Sequence, residues 1–223
     1  MKNKKIKNYL IIKRLKIRED DSMNLPNKIT VARMLMIPLM VVVPFLGIEG
    51  KFDVLGGITY SNLITVIIFL IASITDFFDG YLARKNNLVT TFGKFLDPIA
   101  DKLLVLSAML MLVEMGTIPA WIPIIIVARE FIVSGIRMLA AGEGNVIAAS
   151  WLGKIKTVSQ MVAITFAFIG NNSFFAFVSG NLLGAELIIN VLMSLGMLVA
   201  VIATIWSGVD YFMKSKEIVL KSK

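Results

Sequence analysis

The sequence predicts an all-α integral membrane protein: a bundle of six transmembrane helices with both termini in the cytoplasm. Three observations carry that expectation. Hydrophobic residues make up 57% of the 223 positions, above the ~45–50% typical of soluble domains. They gather in six runs, near 29–47, 61–82, 98–115, 117–139, 154–178 and 182–206, each close to the ~20 residues a bilayer-crossing helix needs. Almost every basic residue flanks an apolar run, nearly all on one side.

Each run has its own marks. The first carries Pro38 and Pro44 and the fourth Pro119 and Pro123, which predict kinks or late helix starts. The third is short and opens at Pro98, a residue suited to the first turn of a helix. The fifth contains "GNNS" near its end. Gly180 and Gly184 flank the start of the sixth at a small-xxx-small spacing that can support helix contact. Trp121, Trp151 and Trp206 are expected at the membrane interface.

Charge sets the orientation. With six crossings, the termini share a side with the loops after the second and fourth runs. That side holds 22 of the 23 Lys and Arg residues, and only Lys51 lies opposite. Positive loops stay cytoplasmic. Residues 1–22 form a basic extension, expected either to be disordered or to lie on an anionic membrane surface. Its "YLII" is too short for a signal-peptide core. The transmembrane domain is expected to occupy 23–213, followed by a basic tail at 214–223.

Composition narrows the chemistry. Without cysteine there is no disulfide or thiolate site, and without histidine the commonest general base and metal ligand are gone. A bound metal must be held by oxygen, which points to a hard divalent cation, Mg²⁺ or Mn²⁺. The net charge of +8 does not indicate nucleic acid, because the basic residues flank apolar runs rather than form a soluble basic face.

The segment "TDFFDGYLARKNNLVTTFGKFLDPIADK", residues 75–102, places four carboxylates at the ends of apolar runs. On a helix Asp76 and Asp79 (i, i+3) share a face, as do Asp97 and Asp101 (i, i+4). The short linker can return the chain and oppose the two faces. Four close carboxylates repel unless cations sit between them, and acids within a membrane are expensive and usually functional. One or two divalent ions resolve the repulsion, and a pair of ions suits displacement at phosphorus. Gly80 and Gly93 leave room for a phosphate or nucleotide near the backbone, and Arg84 can neutralise phosphate with paired donors. Acids serving only as helix caps would explain one such aspartate better than two facing pairs.

The spacing D76-x2-D79-G80-x2-A83-R84-x8-G93-x3-D97-x3-D101 resembles the full signature of the CDP-alcohol phosphotransferase family. "NLPNKITVARMLMIPL" at 24–39 and "AREFIVSGIRMLAAGEGNVIAASWLGKIKTVSQM" at 128–161 resemble its bacterial branch that makes phosphatidylglycerophosphate. The resemblance implies transfer of a phosphatidyl group from CDP-diacylglycerol to sn-glycerol 3-phosphate, with release of CMP. It also implies six membrane helices, a homodimer, and an active site at the cytoplasmic face of a bacterial cell membrane. Carried over by position, Asp76, Asp79 and Asp97 are metal ligands, and Asp101 is both ligand and general base. Gly80, Ala83, Arg84 and Gly93 line the CDP site. Thr30 and Arg33, at the inner start of the first run, are candidates to help hold the nucleotide.

A phosphorylated acceptor should leave its own mark. Arg129, Arg137, Lys154 and Lys156 lie around the fourth and fifth runs, on the same side as the aspartates. Such cations suit a dianionic acceptor phosphate, although the positive-inside bias also accounts for cations there. Arg129, with Glu130 beside it, is equally suited to a structural ion pair. The alternatives are the same chemistry with serine, inositol or phosphatidylglycerol as acceptor, a Mg²⁺-dependent membrane prenyltransferase, or an ion transporter. The last needs carboxylates near mid-bilayer, whereas these cluster at one interface.

Overall fold

The computed structural model describes the backbone of residues 25–48, 50–52, 58–85, 91–142, 151–170 and 172–221. Side chains are described for these residues except 25–26, 52, 76–85, 91–95, 97–98, 141–142 and 217–221. The basic extension at 1–22 lies outside the described residues.

Six α-helices account for most of the described chain: α1 (Leu25–Val42), α2 (Tyr60–Lys85), α3 (Thr91–Glu114), α4 (Trp121–Gly142), α5 (Trp151–Ile169) and α6 (Gly184–Lys221). They match the six apolar runs in order. A small antiparallel pair, β1 (Lys51–Phe52) with β2 (Ile58–Thr59), departs from the all-α expectation in the connection between α1 and α2. By length and composition three stretches can cross a membrane: Asn27–Leu46, Trp151–Ile169 and Gly184–Lys216. Tyr60–Thr75 is a shorter apolar stretch. Charges lower the apolarity of α3 and α4. The former carries Asp97, Asp101 and Lys102, and the latter Arg129, Glu130 and Arg137.

Four boundaries correct the sequence reading. α3 begins at Thr91, so Pro98 sits about two turns inside it rather than in the first turn. A proline there removes one backbone donor from the helix. α5 stops at Ile169, before "GNNS", and residues 172–180 form turns and a 3₁₀ segment instead of continuing the helix. α6 does not end near 206 but runs on to Lys221, through most of the basic tail. Gly180 and Gly184 do not share a helix face: with φ of 73° and 58°, they sit in the connector and at the first position of α6. The close helix approach is made by Gly196, where an added Cβ would lie 3.3 Å from the Ala163 Cβ. α5 and α6 form the most extensive helix pair.

The core follows from helical spacing. On α1 the buried positions are Asn27, Thr30, Arg33, Ile37 and Met40, continued just past its end by Val43, three or four residues apart, so one stripe faces inward. Its first three members are polar and its last three apolar. α1 packs on both α2 and α3, and Met40, Phe69, Leu104 and Phe168 meet in the common core. At the end remote from the aspartates, buried Asn190 fixes the connector to α6. Its side chain donates to the Ser173 carbonyl at 3.0 Å and accepts from the Phe177 N–H at 2.9 Å.

Candidate active site

Only residues 86–90 separate the close of α2 from the opening of α3. The last turns of α2 carry Asp76, Asp79, Gly80, Ala83 and Arg84; the first turns of α3 carry Gly93, Asp97 and Asp101. Helical backbone through both segments puts each aspartate pair on one face of its helix, and the two helices pack together. The side chains of Asp76, Asp79, Gly80, Ala83, Arg84, Gly93 and Asp97 lie outside the described residues. Among the described residues no three acids, histidines or cysteines converge. The donor chemistry still fits a hard divalent cation. The available ligands on these two helices are carboxylates, in a chain without histidine or cysteine.

Thr30 and Arg33 face the interior from α1, and Arg33 is fully buried. Its charge has to be matched inside the bundle, because an ion taken from water without partners is too costly to keep. α1 brings it to the two helices that carry the aspartates.

Asp101 is half-buried on the wall of a cleft of about 370 Å³ between α3, α4 and α5. One part of the lining is polar: Lys102, Glu130, Ser134, Lys156 and Gln160. The rest is apolar, with Val105, Leu106, Met109, Ile126 and Met161. Eight residues of α3 separate Asp101 from Met109, about 12 Å along the helix axis. A ligand with a charged head and a hydrocarbon portion matches both surfaces.

Within the cleft the charges are arranged by contact. Glu130 accepts from Lys156 Nζ at 2.8 Å and from Arg129 Nη1 at 3.1 Å. Lys102 Nζ donates to Ser134 Oγ, joining α3 to α4. Two cations on one carboxylate, with Lys102 nearby, leave this end of the cleft net positive before the aspartates are counted.

The four cations read together in the sequence occupy three settings. Arg129 and Lys156 share Glu130. Arg137 is exposed and donates from Nη2 to the Tyr211 hydroxyl at 2.5 Å. Lys154 is also exposed, 5.7 Å from the Trp151 ring on its own helix. Ser134, Gly208 and Tyr211 are missed by sequence reasoning. A signal for Tyr211 does exist: the buried stripe of α6 continues past residue 206 as Ser207, Tyr211 and Ser215, at helical spacing.

Comparison with known proteins gives one family. The profile of the family described as CDP-alcohol phosphatidyltransferase matches residues 23–206. Similar proteins include the CDP-diacylglycerol–glycerol-3-phosphate 3-phosphatidyltransferase of Bacillus subtilis (strain 168), 45% identical over 196 residues, covering 87% of this chain and 96% of the relative. Proteins of the same name from Haemophilus influenzae (38% identical; 86% of this chain and 94% of the relative) and Rickettsia bellii (36%; 87% and 96%) are also similar.

Proposed function

This chain belongs to the CDP-alcohol phosphatidyltransferase family, and we propose that it transfers the phosphatidyl group of CDP-diacylglycerol to sn-glycerol 3-phosphate. The products are phosphatidylglycerophosphate and CMP, a step of phospholipid biosynthesis. The observation that carries this reading is the cleft beside Asp101, which joins a charged polar end, with Lys102 and Lys156 among its cations, to an apolar wall. A lipid carrying a phosphate head needs both. The names of the similar proteins support glycerol 3-phosphate as the acceptor.

Asp101 is the general base. It takes the proton of the acceptor hydroxyl as that oxygen bonds to the phosphatidyl phosphorus and the bond from phosphorus to the CMP oxygen breaks. Asp76, Asp79, Asp97 and Asp101 would hold two divalent cations, Mg²⁺ or Mn²⁺, whose contribution is to neutralise charge at the diphosphate. Gly80, Ala83 and Gly93 give the nucleotide room beside the backbone, and Arg84, Thr30 and Arg33 bind it. The acceptor phosphate goes to Arg137 and Lys154. Arg129 and Lys156 add positive potential, which Glu130 offsets only in part.

The enzyme works at the cytoplasmic face of a bacterial cell membrane, with six crossings and both termini inside. Supporting this, 22 of its 23 Lys and Arg residues fall on one side of the apolar runs. A second copy of the chain is the expected partner. Exposed Ile205, Val209 and Phe212 on α6 face either lipid or that copy.

An acceptor panel tests the function. Purified protein with CDP-diacylglycerol and Mg²⁺ is expected to release CMP when glycerol 3-phosphate is added. Release with serine or inositol instead would contradict the acceptor assignment.

A further inference from the structure

The turns of α6 beyond residue 206 carry a buried aromatic that the reaction described above does not use. Tyr211 is only 2% exposed. Two guanidinium groups from α4 lie against its ring, Arg137 at 5.1 Å and Arg129 at 5.7 Å from the centroid. Its hydroxyl accepts the 2.5 Å hydrogen bond from Arg137. One turn earlier, Gly208 opens a gap for the Arg129 stem: a Cβ there would approach Arg129 Cγ to 3.2 Å.

The register of α4 ties these contacts to the cleft. Glu130, Ser134 and Arg137 are spaced i, i+4, i+7 and so form one stripe, and the first two line the cleft with Asp101. Arg137 lies one turn beyond Ser134, about 4.5 Å further along the helix axis, where its guanidinium reaches Tyr211 of α6. The manner of its restraint matters. A carboxylate, such as Glu130 supplies to Lys156, fixes a cation but also neutralises much of its charge. A phenol fixes an arginine with one hydrogen bond and an aromatic face, leaving the charge and the other donors for an anion.

We infer that Tyr211 is a positioning residue for the acceptor, holding Arg137 in advance for the dianionic phosphate of glycerol 3-phosphate. Preorganisation of this kind raises affinity, because the side chain is not ordered at the moment of binding. The inference rests on the reading of Arg137 as an acceptor-phosphate ligand. Tyr211 acts through Arg137 and does not touch the reacting atoms.

The test uses the full-length purified chain, CMP release as readout, and the variants Tyr211→Phe, Arg137→Ala and the double substitution. Tyr211→Phe keeps the ring and removes the oxygen. It is expected to raise the KM for glycerol 3-phosphate about three- to tenfold, with kcat and the KM for CDP-diacylglycerol within about twofold of the parent. Inorganic phosphate, used as a competitor of glycerol 3-phosphate, should weaken as an inhibitor by the same factor. In the Arg137→Ala background, Tyr211→Phe should add nothing further. An unchanged acceptor KM in Tyr211→Phe, with a raised one in Arg137→Ala, would overturn the role of Tyr211 and leave the acceptor site standing. A neutral Arg137→Ala would remove both. Loss of kcat, thermal stability and both affinities together in Tyr211→Phe would make the tyrosine structural and overturn the inference.

Discussion

Lys156 and Asp101 face the same cleft and illustrate two ways a charge persists inside an apolar bundle. The lysine side chain is 8% exposed and is held by Glu130 at 2.8 Å; removal of that carboxylate would leave a buried, uncompensated cation. Asp101 is more open, which suits a group that must meet a substrate hydroxyl. Replacing Asp101 with Asn keeps the shape and removes the basic oxygen. The kcat is expected to fall about 10²- to 10⁴-fold, while equilibrium binding of CDP-diacylglycerol largely survives. Near-normal turnover in a steady-state CMP assay would exclude Asp101 as the base.

At the level of the helices, the tightest test of packing is the α5–α6 seam. A side chain at Gly196 has to enter the space beside Ala163 and the Ser159 carbonyl, 3.3 and 3.5 Å from the added Cβ. Gly196→Leu is therefore expected to destabilise the protein by about 1–3 kcal/mol, the usual cost of overpacking, and to lower the thermal midpoint in detergent. An unchanged midpoint would show that the seam gives way there. The helices themselves were legible as six apolar runs, but their ends were not. Hydropathy marks the part of a helix that avoids water, whereas the backbone bonds of a helix continue wherever no residue breaks them. Hence α6 runs past Trp206 to Lys221, and α3 starts at Thr91, ahead of Pro98. At Ile169 the reverse holds, because the polar "GNNS" stops α5 although an apolar stretch follows.

Across the whole molecule, the aspartate spacing was legible because it lies within two helix ends, where residue separation alone sets which positions share a face. The contact of Arg137 with Tyr211 was not. It joins residues 74 apart on α4 and α6, and no local spacing encodes which helices become neighbours. The orientation rests on charge and can be checked directly, since the chain contains no cysteine of its own. With Lys51→Cys, a membrane-impermeant maleimide should label intact cells; with Lys214→Cys, labelling should require permeabilisation. The opposite pattern would invert the proposed topology. The central claim is that carboxylates from both α2 and α3 hold the divalent cations at which the CDP-linked lipid reacts. Electron paramagnetic resonance of Mn²⁺, titrated into purified protein with CDP-diacylglycerol, measures this most directly. Bound Mn²⁺ should be seen in the parent chain and lost with Asp79→Asn and with Asp97→Asn alike; undiminished Mn²⁺ binding in the variant carrying both substitutions would contradict the account.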